Sequence, residues 1–268
     1  MKNITRVLTL IMLISFTSLY GEDNEAYRYK WIGTFAKGST LHSQLIESDM
    51  YWDNIREKIK LRWSEGYTIT ELKYGNGRWV ILFSKGSTDG NQAYDVMNRW
   101  GGMSYIIQKR WAEGYSLVAI EQGLSEWVGV FAKNGKEVTQ ALNREKKLAN
   151  FQKRISQKWE EGYDIVDMEY GEGHWLAIFS KDLKYSGHAM SVRPDWKKFT
   201  KAISKNWGDG YLITDMKFGI GRWLGVFAKG TKFTTQTYET KATIKELDEV
   251  RKNLAKEGYA LVDLSEGW

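Results

Sequence analysis

The residue types able to carry a reaction are few in this chain, and those present recur at a fixed interval. Cysteine is absent from the 268 residues, which excludes a thiolate nucleophile, a thiolate-bound zinc and a disulfide framework. The three histidines, His42, His174 and His188, include no pair at the i, i+4 spacing of a helical metal site, so neither a metal nor another cofactor is expected. Carboxylates are abundant but repetitive. Glu65, Glu113, Glu161, Asp209 and Glu257 follow one another every 48 residues, each directly before a glycine. If that glycine ends a helix, the acid opposes the helix macrodipole and calls for a fixed cationic partner. The column Lys37, Lys85, Lys133, Lys181 and Lys229 has the same interval and is the natural candidate. Five alike ion pairs suit a structural role better than catalysis, which uses one asymmetric set of groups.

A third polar column suits binding. Gln44, Gln92, Gln140, His188 and Gln236 share the 48-residue interval, each two residues before an apolar or aromatic position. An amide held on an edge strand can clamp its neighbour's backbone. Alternatively, these five groups and the five lysines line one mouth and offer hydrogen bonds to a glycan, a peptide or a protein. The Gly-x-Gly pieces lie in hairpins and open no helix, so they form no phosphate cradle.

The elements that must hold these columns are written five times. Trp31, Trp79, Trp127, Trp175 and Trp223 stand 48 residues apart without a gap, and Phe35, Phe83, Phe131, Phe179 and Phe227 follow them four residues later. Trp63, Trp111, Trp159 and Trp207 form a second column, with Ala255 in the fifth copy, and each copy runs on to a Gly-Tyr pair. Twelve of the thirteen tryptophans lie on such columns, which points to structure rather than to scattered binding residues. Within a unit, Trp52, Ile55, Ile59 and Trp63 have the spacing of an amphipathic helix. That helix should stop at the glycine of Gly-Tyr, and Pro194 should open the fourth one. A strand such as 67–74 follows, then a tight turn at Gly75-Asn76-Gly77, then the returning strand 79–83, whose apolar residues on both faces mark a central strand. A shorter edge strand around Gln92-Ala93-Tyr94 leads to the next helix.

The chain begins and ends inside a unit. Lys30 to Gly38 is a returning strand without its hairpin partner, and Gly258 to Leu264 is a first strand without its return. Pairing the two removes two hydrophobic edges. The expected fold is therefore an α/β repeat protein: a closed, propeller-like ring of five units, each with one helix and about three strands. Its architecture resembles the α/β-propeller of guanidine-modifying hydrolases and transferases, whose common cysteine nucleophile this chain lacks.

Lys2 and Arg6 precede an apolar stretch from Val7 to Leu19 and then a polar run from Glu22. This is the pattern of a secretory signal peptide over residues 1–21, leaving 22–268 as a single domain, periplasmic or extracellular, with no membrane span. Loss of that leader lowers the net charge from +6 to +4, which gives nucleic acid little to attract it. A monomer is expected.

The motif from Trp63 through Gly66-Tyr67, Gly77, Trp79 and Phe83-Ser84-Lys85-Gly86 to Gln92-Ala93-Tyr94 resembles the repeats at the C-terminus of plant casein-kinase-I-like histone kinases, as does the stretch from Ile155 to Met190. The resemblance implies a repeat module with an interaction role and brings no catalytic residue. The sequence thus points to an exported, non-enzymatic binding module. The second reading is an envelope-polymer hydrolase assembled from acids of several repeats.

Overall fold

The computed structural model describes residues 28–268; the leader assigned to residues 1–21 lies outside the described residues. The elements run β1 (Lys30–Lys37), β2 (His42–Asp49), α1 (Trp52–Ser64), β3 (Thr68–Gly75), β4 (Arg78–Lys85), β5 (Gln92–Met97), α2 (Trp100–Ala112), β6 (Ser116–Gln122) and β7 (Trp127–Ala132). They continue as β8 (Gln140–Glu145), α3 (Leu148–Glu160), β9 (Asp164–Gly171), β10 (His174–Ser180), β11 (Gly187–Arg193), α4 (Trp196–Gly208), β12 (Leu212–Gly219) and β13 (Arg222–Lys229). The last are β14 (Thr235–Lys241), α5 (Ile244–Lys256) and β15 (Ala260–Gly267). Five separate three-stranded antiparallel sheets result, in the orders β2-β4-β3, β5-β7-β6, β8-β10-β9, β11-β13-β12 and β14-β1-β15. Each carries one helix, which crosses from the outer strand to the inner one. The fifth sheet is assembled from both halves of the chain: β1 is its central strand and pairs with β14 and β15.

The helices end as their sequence requires. In α1 the Gly66 N–H donates to Trp63 O at 3.0 Å and the Tyr67 N–H donates to Arg62 O at 3.0 Å. This doubled closure needs a left-handed residue between the two bonds, and Gly66 supplies it at φ 80°. The same pair of bonds closes the other four helices at Gly114, Gly162, Gly210 and Gly258. The start of α4 differs from expectation. Asp195 is the N-cap and accepts from the Lys198 N–H at 2.7 Å, so Pro194 lies outside the helix, on the side of the chain's approach. The short carboxylate meets an orphan helix donor, which proline cannot do.

The two-faced apolar character of the central strands has a direct cause. On one face Trp79, Ile81 and Phe83 of β4 pack on Ile55 and Ile59 of α1. On the other, Val80 and Leu82 join the core of the β14-β1-β15 unit, beside Leu247 and Leu261. The other units repeat this, so that every core borrows from the central strand of a neighbour. The inner strands lie against one another as β3 on β6, β6 on β9, β9 on β12, β12 on β15 and β15 on β3. Where units meet, Gly219 faces Trp175: a Cβ there would lie 2.9 Å from the indole.

Candidate functional site

Each inner strand is broken by a bulge at the same place. Pairing slips between Ile69 and Glu71 in β3, between Leu117 and Ala119 in β6 and between Ile213 and Asp215 in β12, with matching slips in the β9 and β15 ladders. A bulge inserts one residue and re-aims the next. Here it lets Ile69 and Leu72, three residues apart, both face the core. It also turns the column Glu71, Ala119, Asp167, Asp215 and Asp263 toward the middle of the molecule. A small cavity of about 60 Å³ lies there, lined by these five residues together with Thr70, Val118, Val166 and Thr214.

Beneath that layer lies a second column, Lys73, Glu121, Glu169, Lys217 and Ser265, all buried. Lys217 Nζ donates to Glu121 at 3.0 and 3.1 Å and also pairs with Glu169. Lys73 Nζ stands 3.6 Å from Asp167 and 3.9 Å from both Glu71 and Glu121. Asp167 accepts the Ile120 N–H at 2.7 Å, from the neighbouring inner strand, and Asp263 accepts from the Thr34 hydroxyl at 3.3 Å. Asp215 is 4% exposed, and its Oδ2 has no hydrogen-bond partner.

Six carboxylates and two ammonium groups therefore share one centre, five of the carboxylates buried and Glu71 partly so, and burial governs their protonation. Burial pushes Glu71, Glu169 and Asp215 well above the usual carboxylate range and Asp167 upward. Asp263 is pushed up to about 6 by the same cause, with Lys73 opposing it. For Lys73 burial favours the neutral amine, but the surrounding carboxylates outweigh it and hold the ammonium form.

The glutamine column sits at the five seams between sheets. Gln92 on β5 accepts the Ile69 N–H at 2.7 Å and donates to Ile69 O at 2.8 Å, on the inner strand of the adjoining sheet. Gln140 does the same with Leu117, Gln236 with Ile213 and Gln44 with Leu261. His188 instead meets the Asp164 carboxylate at 2.6 Å and stacks on Trp159. The four glutamines thus each clamp a neighbour's backbone, and none of the five residues lines the central cavity.

The lysine column needs correction. Lys37, Lys85, Lys133, Lys181 and Lys229 place Nζ 4.4–5.2 Å from the ring centres of Tyr259, Tyr67, Tyr115, Tyr163 and Tyr211. Among the described residues no ion pair joins them to the acids before the cap glycines. Four of those acids pair with bases three or four residues back on their own helix, as in Arg62–Glu65 at 2.8 Å and Lys205–Asp209 at 2.7 Å. The local partner lies one helical turn away and costs less chain ordering than a lysine from another element.

The central carboxylates form no uniform column in the sequence, because Lys73, Lys217 and Ser265 share the 48-residue interval with Glu121 and Glu169, and Ala119 interrupts the first layer. A signal was present nonetheless. The apolar pairs Ile69/Leu72, Leu117/Ile120, Ile165/Met168, Ile213/Met216 and Leu261/Leu264 violate the two-residue period of a strand at the same point in all five copies.

Fold and centre together define an α/β repeat protein with a tryptophan-rich core and a charged middle. Residues 25–169 match the family described as a domain of unknown function, DUF7477, and the chain belongs to that family. No curated protein and no solved structure matches the chain. No helix among the described residues is long and apolar enough to cross a membrane.

Proposed function

We propose that this protein is an exported, monomeric, non-enzymatic binding module, a closed five-unit ring whose centre receives the protonated amine or guanidinium of a basic peptide. The carrying observation is the convergence of Glu71, Asp167, Asp215 and Asp263 on one small cavity, with Asp215 Oδ2 buried and unpartnered. Acids outnumber bases there and burial favours their neutral forms, so an entering cation gains partners by drawing those carboxyls into the ionised state. The cavity of about 60 Å³ admits one small group and excludes a polymer chain. The oxygens that face the cavity come singly from separate strands, a spread that suits an organic cation. Closure is supported by the β1 pairing and by the glutamine seam clamps, of which Gln44 to Leu261 joins the first and last units. The leader pattern supports export, and the repeat resemblance to plant kinase tails supports an interaction role.

Short peptides ending in lysine or arginine, and butylammonium as the minimal probe, test the reading by calorimetry. A cation favours ionised carboxylates, so binding should release protons and strengthen as the pH rises through about 6, where Asp263 titrates. Asp215→Asn should weaken binding by about tenfold, the loss expected of one charge-assisted hydrogen bond. Absence of binding, or affinity indifferent to both pH and Asp215→Asn, would refute the proposal.

A further inference from the structure

Four of the five seams are filled by the chain's own indoles. Trp63, Trp111 and Trp207 donate their Nε1–H to Gln92, Gln140 and Gln236 at 3.2, 2.9 and 3.2 Å. Trp159 stacks on His188 with ring centres 4.9 Å apart and planes 12° from parallel. The fifth position of that column is Ala255, and beside it opens a cavity of about 190 Å³ lined by Leu41, His42, Gln44, Gly258 and Tyr259. The walls correspond to those of the filled seams: Gln44, Gly258 and Tyr259 stand where Gln92, Gly66 and Tyr67 enclose Trp63. The indole is the piece of that wall missing at Ala255.

Two further features set this seam apart. The Gln44 Oε1 accepts a bond from the Leu261 N–H at 2.7 Å, while the matching oxygens of Gln92, Gln140 and Gln236 each take a second from an indole. A carbonyl oxygen has two lone pairs, so Gln44 retains an acceptor site on this side. In addition, β2 slips its register between His42 and Leu45, with Ser43 at φ 49°, whereas β5, β8, β11 and β14 pair without a slip. Asn91, the counterpart of Ser43 in the next unit, has the same left-handed φ of 50°, so the register slip and not the dihedral distinguishes this edge.

We propose that the seam between the first and last units is a binding site for an indole-type ring, a planar bicyclic heteroaromatic with a ring N–H donor. The ligand takes the place of the missing tryptophan, lies beside Tyr259 and donates to Gln44 Oε1. The chain's own repeats supply the template for both shape and hydrogen bond. This site is separate from the acidic centre, so the two readings fail independently.

The test is titration of the full chain with free indole, followed by calorimetry and by nuclear Overhauser contacts from the bound ring to the Ala255 methyl and the Tyr259 ring. Saturable one-site binding with those contacts is expected. 1-Methylindole, which lacks the donor, should bind about fivefold more weakly, the factor for one net hydrogen bond. Ala255→Trp fills the cavity from within and should abolish indole binding while raising the melting temperature. If that variant does not fold, the contacts in the unaltered chain decide. N-Acetyltryptophanamide distinguishes the sources: affinity equal to that of indole points to a tryptophan side chain on a polypeptide, and exclusion points to a free small molecule. No saturable binding at millimolar indole, equal affinity for 1-methylindole, contacts to other residues, or binding undiminished in Ala255→Trp would overturn the assignment.

Discussion

Gln236 and Lys133 belong to columns that look equally regular, yet the physics of their surroundings separates them. The Gln236 side chain accepts from the Ile213 N–H and from the Trp207 indole and donates to Ile213 O, in a setting 9% exposed. Gln236→Ala leaves a buried N–H and C=O of Ile213 without partners and should cost about 2–4 kcal/mol in urea unfolding. Lys133 lies at the surface with its ammonium 5.2 Å from the Tyr115 ring centre. Lys133→Met keeps the aliphatic contact, loses a solvated cation–π interaction, and should change stability by less than about 1 kcal/mol. A loss from Lys133→Met as large as that from Gln236→Ala would contradict these roles.

At the scale of the element, the inner strand does two jobs by different means. Its bulge aims one side chain at the centre, a carboxylate in every copy but β6, and its terminal glycine admits the tryptophan of the adjoining unit. Gly219 has no φ requirement of its own; the side chains of Tyr170 and Trp175 occupy the space a Cβ would need. Gly219→Ala should therefore destabilise by about 1–3 kcal/mol, the usual cost of overpacking. Gly173→Ala makes a useful contrast, because nothing lies within 4 Å of its Cβ position and its φ of 70° is the cause of any loss. Chemical denaturation of the two variants, with near-ultraviolet dichroism of the tryptophans, should show altered tryptophan packing only for Gly219→Ala.

For the whole molecule the decisive strand is β1, which is central in a sheet whose other two strands lie at the far end of the chain. Deleting residues 28–40 removes Trp31, Ile32 and Phe35, all essentially inaccessible to solvent. The loss should be about 5 kcal/mol or more, from burial at roughly 1.5–3 kcal/mol per large side chain. It also exposes the pairing edges of β14 and β15, so association should follow. Light scattering and urea unfolding measure both effects, and a deletion variant as stable and monomeric as the parent would count against the closed ring.

The repeat, the helix with its Gly-Tyr stop, the hairpin and the central strand of each unit were all legible in the sequence, because periodicity and left-handed glycine caps are local properties of the chain. The pairing of β1 with the C-terminal strand was legible too, since two complementary hydrophobic edges imply each other. What lay beyond the sequence is where equivalent side chains end up. The Lys37 column faces tyrosine rings rather than the cap acids, and a nearer base on the same helix serves four of those five acids. Glu71, Asp167, Asp215 and Asp263 stand between 48 and 192 residues apart, and only the packing of five inner strands, each turned by its bulge, brings them to one cavity. Their charge state follows from burial among one another, a property of the assembled centre that no single repeat possesses.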